Sequence, residues 1–99
     1  MKYGLQDEVV QKISGVFIRF PAVHKAVLYG SRAKGDYKNG SDVDLTLVGP
    51  LDADTLGQIM DALDDLLLPY SMGLSIFSNI TDQSLLDHIK RVGVVFYES

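Results

Sequence analysis

The chain has 99 residues, 46% hydrophobic and 22% charged, with nine Lys and Arg against thirteen Asp and Glu and a net charge of −4. This length and mixture give one domain over residues 1–99 with a thin core, exclude intrinsic disorder, and argue against a broad basic face for direct nucleic-acid binding. The absence of cysteine excludes disulfide scaffolds, thiolate metal sites and thiol nucleophiles. No apolar run approaches a membrane span (Leu66-Leu67-Leu68 stops at Pro69), and the first eight residues lack a signal-peptide core, so a soluble cytoplasmic protein is the expectation.

Leu5, Val9, Val10, Ile13, Val16, Phe17 and Phe20 recur at helical spacing and predict an amphipathic helix from about residue 5 to 20, ended by Pro21. Residues 23–29 are short, apolar-rich and partly β-branched, a strand with Lys25 inside it, and residues 43–48 form a second strand closed by Gly49-Pro50. The next helix starts near Asp54-Thr55, where Thr55 and Gln58 have capping-box spacing, and its apolar residues continue to Leu67 before Pro69 breaks it. Residues 72–77 read as a third strand. Thr81-Asp82 caps a last helix to about Arg91, with Gly93 as its stop and an extended tail over residues 94–97. Alternating strands and helices predict an α/β or α+β fold, a mixed sheet backed by helices. The connection over residues 49–71 contains a helix and suits a parallel crossover, whereas the polar loop over residues 30–42 suits an elaborated antiparallel hairpin.

The chemistry concentrates between Leu28 and Leu45. Gly30-Ser31 leaves an apolar strand for a short helix, where glycine permits close backbone approach and helix-start N–H groups favour phosphate. Arg32, Lys34 and Lys38, three of the nine basic residues, fall in this loop of an acidic chain. Asp42 and Asp44 stand at i and i+2 at a strand start, so both carboxylates project from one face. Two hard oxygen ligands on a rigid face suit Mg²⁺, which binds through one or two carboxylates plus substrate phosphates. With the two strands antiparallel, Gly30-Ser31 faces the aspartates across the sheet edge, the juxtaposition that phosphoryl or nucleotidyl transfer requires.

Taken singly, each feature has a plainer reading: Gly-Ser as a turn, Asp-x-Asp as a cap, the basic residues as a solvated loop. A second Asp-x-Asp pair, Asp52 and Asp54, belongs to a helix start for that reason. His24 and His88 lack metal-ligand spacing and read as structural or surface residues. The aromatics do not interleave with basic residues as a nucleic-acid platform would.

Gly30-Ser31, ten intervening residues, then Asp42-Val43-Asp44 resembles the signature of the DNA polymerase β-like nucleotidyltransferase superfamily. The longer string from Gly30 to Asp36 and from Ser41 to Leu45 is similar to the minimal nucleotidyltransferases, whose members include antitoxins of toxin–antitoxin pairs. The resemblance implies the polymerase β-like fold and an ATP or other nucleoside triphosphate held at Gly30 and Ser31. It implies catalytic Mg²⁺, in a two-metal site, on Asp42 and Asp44, with Arg32 and Lys34 as phosphate contacts. It also implies a helical HEPN-type partner whose hydroxyl receives AMP; association of the chain with itself, through an exposed apolar patch beside the site, is a separate expectation. The family pattern places a third carboxylate in the third strand, where this chain has Gly73. That departure supports the alternative of a catalytically impaired nucleotide-binding or interaction module that neutralises its partner by occlusion.

Overall fold

Alternation in residues 43–48 sets the architecture: Val43, Leu45 and Leu47 are fully buried on one face, while on the other Asp44 and Val48 keep partial exposure and Thr46 between them is buried. The computed structural model describes residues 1–99, ordered α1 (Asp7–Ile18), β1 (Lys25–Tyr29), one-turn α2 (Ser31–Lys34), β2 (Val43–Val48), α3 (Ala53–Asp64), β3 (Met72–Ile76), a 3-10 turn (Phe77–Asn79), α4 (Gln83–Val92) and β4 (Val94–Glu98). The strands form one mixed sheet in the order β3-β2-β1-β4. β1 is antiparallel to β2 and β4, and β2 is parallel to β3, as the hairpin and the helical crossover predicted.

Ile13, Val16 and Phe17 of α1 and Ile59 and Leu63 of α3 join Ala26, Leu28, Leu45, Leu47 and Phe96 in one buried cluster. Each Val, Leu, Ile and Phe among them contributes about 1.5–3 kcal/mol on burial, so this layer carries most of the stability. α4 reaches the sheet through Val27 and Tyr29, residues that alternate away from the core layer; Gly93 abuts Val27 and the His88 ring meets Tyr29 edge-on. The sheet is therefore sandwiched, with Asp44, Gly73 and Tyr29 on the α4 side. No helix is long and apolar enough to cross a membrane.

Several element ends differ from the sequence reading, among them the end of α1 at Ile18 and the start of β1 at Lys25. α1 begins at Asp7 because Tyr3 and Gly4 both take positive φ, closing a tight Lys2–Leu5 bridge that delivers Leu5 to the core from outside the helix. Asp52 caps α3, its Oδ1 accepting from the Thr55 N–H at 2.8 Å, which moves the helix start ahead of the Thr55–Gln58 pair. α3 ends at Asp64, well before Pro69: Leu67 adopts φ 54° and turns the chain out of the helix. The predicted α4 cap is present, with Asp82 Oδ1 accepting from Ser84 and Leu85.

Candidate active site

The antiparallel register sets Tyr29, the last residue of β1, opposite Asp44, so the chain leaves β1 at Gly30 directly beside that carboxylate. From the other side, the parallel register sets Gly73 opposite Asp44. Both glycines lie against that carboxylate, so a side chain at either position would make it move. A Cβ on Gly30 would stand 2.5 Å from Asp44 Oδ2, and a Cβ on Gly73 would stand 2.7 Å from Asp44 Oδ1. Gly30 also has φ 79° and ψ −158°, a backbone shape that side-chain-bearing residues avoid. The Asp44 carboxylate thus occupies a slot walled by two glycine backbones, and the space a third carboxylate would enter is already filled by Asp44 itself.

Burial is the main reason that the Asp44 pKa rises above the ordinary carboxylate range; the Asp42 charge adds to the rise and His88 opposes it. The ion pairs of the chain are Met1–Asp7, Glu8–Lys12 and Lys34–Asp36, so neither Asp42 nor Asp44 is neutralised by a basic side chain. Beneath them Ser75 Oγ donates to the buried Thr46 Oγ1 at 3.0 Å. Burial also pushes the Tyr29 phenol up, the Ser75 hydroxyl opposing this and the Asp44 charge reinforcing it. Two unneutralised carboxylates on one face form a hard-oxygen donor set that fits Mg²⁺, with remaining positions left to phosphate and water. No cluster of three or more His, Cys, Asp or Glu side chains able to hold a metal is present.

Gly30, Asp42 and Asp44 are brought together, with Ser31 the next residue along the turn, and two other expected contacts are not. Arg32 was expected at phosphate, but it is 3% exposed and works as a staple. Its Nε and Nη2 donate to the Ser41 carbonyl at 3.0 and 2.9 Å, and Nη1 donates to the Tyr3 carbonyl at 2.9 Å. Its guanidinium also lies 5.4 Å from the Tyr37 ring and 4.9 Å from the Tyr70 ring, so an aromatic–basic pairing does occur, in a structural role. Lys34 reaches Asp36 at 3.4 Å on the surface, drawn there by the nearer opposite charge. A cavity of about 270 Å³ lies against Arg32, Tyr37, Lys38, Asn39 and Tyr70, and includes none of Gly30, Ser31, Asp42 or Asp44. The sequence reading missed His88, whose Nε2 accepts the Gly30 N–H at 3.0 Å across 58 residues of sequence. No spacing signal links such distant positions. That bond occupies the Gly30 N–H, at the N-cap of α2.

Residues 11–99 match the family described as "Polymerase beta, Nucleotidyltransferase". A relative from Methanocaldococcus jannaschii, to which protein adenylyltransferase activity is attributed, is 40% identical over 50 residues, covering 50% of this chain and 47% of the relative. The matched segment thus spans about half of each protein. A toxin–antitoxin crystal structure with AMP-PNP superposes with TM-score 0.70 at 18% identity, over 96% of this chain and 75% of that one. The complex of tri-AMPylated Shewanella oneidensis HEPN toxin with MNT antitoxin gives TM-score 0.68 at 16% identity, over 96% and 74% of the two chains. These likenesses establish a polymerase β-like nucleotidyltransferase fold.

Two outcomes follow from the geometry. Because folding raises the Asp44 pKa, the stability tied to this group is full below the unfolded value of about 3.9 and is lost as pH rises through the folded value. Asp44→Asn is therefore expected to melt higher than wild type at pH 7 in EDTA, with the gain vanishing below about pH 4 in the same thermal scans; no gain at neutral pH would contradict the assigned charge strain. For Arg32→Met, urea unfolding without nucleotide is expected to show a loss of about 1–3 kcal/mol, since buried carbonyls lose their donors. A phosphate contact would instead leave the nucleotide-free stability unchanged.

Proposed function

The chain belongs to the polymerase beta nucleotidyltransferase family, and from that premise we propose that it transfers AMP from ATP, with Mg²⁺, to a hydroxyl of a HEPN-type partner as the antitoxin of a toxin–antitoxin pair. The observation that carries this reading is the unneutralised Asp42–Asp44 pair set against the Gly30–Ser31 turn by the Tyr29–Asp44 register. The names of the relatives, a protein adenylyltransferase and complexes of MNT antitoxin with HEPN toxin, support the choice of nucleotide and acceptor. A cytoplasmic location and a single functional unit over residues 1–99 belong to the same proposal.

In this reading Asp42 and Asp44 hold the cation, and Ser31 orients the triphosphate beside them. Bound Mg²⁺ supplies charge neutralisation and activation of the α-phosphoryl group. The partner's hydroxyl oxygen forms a bond to the α-phosphorus, the bond to pyrophosphate breaks, and pyrophosphate leaves with the electron pair. The hydroxyl proton passes to solvent or to a base on the partner, because position 73 offers no carboxylate to take it.

Gly73 favours a second reading, in which the chain binds nucleotide and partner and neutralises the partner by occlusion without turnover. Incubation with α-labelled ATP, Mg²⁺ and the product of the neighbouring reading frame separates them. Label on the partner, lost with Asp42→Ala, is expected from transfer; a neutralised but unlabelled partner supports occlusion. In Gly73→Asp the Asp44 carboxylate must rotate away from the new side chain, given the 2.7 Å approach. With that rotation a third ligand and proton acceptor joins the site, and single-turnover transfer is expected to rise about a hundredfold or more. An unchanged rate would place the limiting group elsewhere.

A further inference from the structure

The turn that brings Gly30 and Ser31 to Asp44 is held on three sides, and His88 supplies the one side-chain hydrogen bond to Gly30. On the strand side, the Tyr29–Asp44 pairing fixes the approach. On the Cα side, the Asp44 carboxylate presses where a Cβ would be. On the amide side, the Gly30 N–H donates to His88 Nε2 at 3.0 Å. The acceptor nitrogen must be unprotonated, which leaves the imidazole proton on Nδ1. His88 is itself fixed: its ring meets Tyr29 edge-on at 6.2 Å and 82°, the adjacent Ile89 is buried, and α4 is capped at Asp82. Glycine takes φ 79°, ψ −158° without strain and has access to many other backbone shapes, so it is these three contacts that select this one.

We infer that His88 is a positioning residue of the site: from α4 it fastens the Gly30 amide and keeps the Gly30–Ser31 turn pressed against Asp44 in the shape that receives the triphosphate. The inference rests on the nucleotide reading above, and adds to it a residue from the last helix that neither the signature motif nor the carboxylate pair contains. His88 makes no claim on the reacting atoms; it acts through Gly30. Loss of the bond frees the turn to relax, and the cost appears when nucleotide must restore it.

The test compares wild type, His88→Ala and His88→Gln, the last placing an amide oxygen near the Nε2 position to accept the same N–H. In the nucleotide-free protein, Gly30 amide hydrogen exchange is expected to quicken about tenfold in His88→Ala and to recover in His88→Gln. Calorimetry with Mg²⁺ and AMP-PNP is expected to show about tenfold weaker binding in His88→Ala, largely restored in His88→Gln. Where transfer is measurable, KM for ATP should rise with kcat nearly unchanged, a split that general loss of stability would not produce. Unchanged Gly30 exchange in His88→Ala overturns the hydrogen bond. Wild-type affinity in His88→Ala, with exchange quickened, overturns the positioning role. A wild type that binds no Mg²⁺·AMP-PNP overturns the nucleotide reading instead, and with it the part assigned to His88 in binding, while Gly30 exchange still decides the structural hold.

Discussion

Asp44 sits in a slot between two strands where both neighbours, Gly30 and Gly73, lack side chains, and burial and a second carboxylate both work against its charge. The surrounding structure can be read as the means of holding that group in place. Leu45 and its alternating partners anchor β2 in the core, β1 delivers Gly30 to one oxygen and β3 delivers Gly73 to the other. A carboxylate held this way carries its charge at a cost, which a bound cation would relieve. This arrangement differs from a surface Asp-x-Asp turn, where solvent would screen both charges.

Gly73 has two faces. Measured against the family pattern it is a missing ligand, but within this sheet it is the residue that lets Asp44 lean into the strand interface. Those two descriptions need not compete. With no third carboxylate, that of Asp44 settles into the space, and a cation held by the proposed pair would have two protein ligands and more positions for phosphate and water. Binding and chemistry then come apart. In the proposed reading, charge neutralisation needs only Asp42 and Asp44, while proton removal from an acceptor needs a group that position 73 does not supply.

The fold and the juxtaposition of Gly30 with Asp44 at the candidate site were legible in the chain because their determinants are local. Residues 43–48 alternate, residues 49–71 contain a helix between two strands, and Gly30-Ser31 and Asp42-Asp44 lie on adjoining strand ends. Position 73 was legible through the family pattern, and its pairing with Asp44 matches that placement. The remainder depends on contacts that no spacing encodes. Arg32 carries the charge of a phosphate ligand, and only the carbonyls of Tyr3 and Ser41 and the rings of Tyr37 and Tyr70 turn it into a staple. His88 lies on α4 among apolar residues and becomes part of the site only because α4 packs over Tyr29. Helix ends shifted for the same reason: Leu5 is apolar at helical spacing, but the turn at Tyr3-Gly4 brings it to the core by another route.

The central claim is that the Asp42–Asp44 face binds a triphosphate only when a divalent cation joins the two. Calorimetric titration of AMP-PNP into the wild-type chain tests it most directly, run once with Mg²⁺ and once with EDTA. Two carboxylates without a counter-ion repel a triphosphate, and a bridging cation reverses the sign. Binding is expected in Mg²⁺, abolished by EDTA and by Asp42→Ala. Equal affinity in Mg²⁺ and EDTA, or an unaltered affinity in Asp42→Ala, would contradict it.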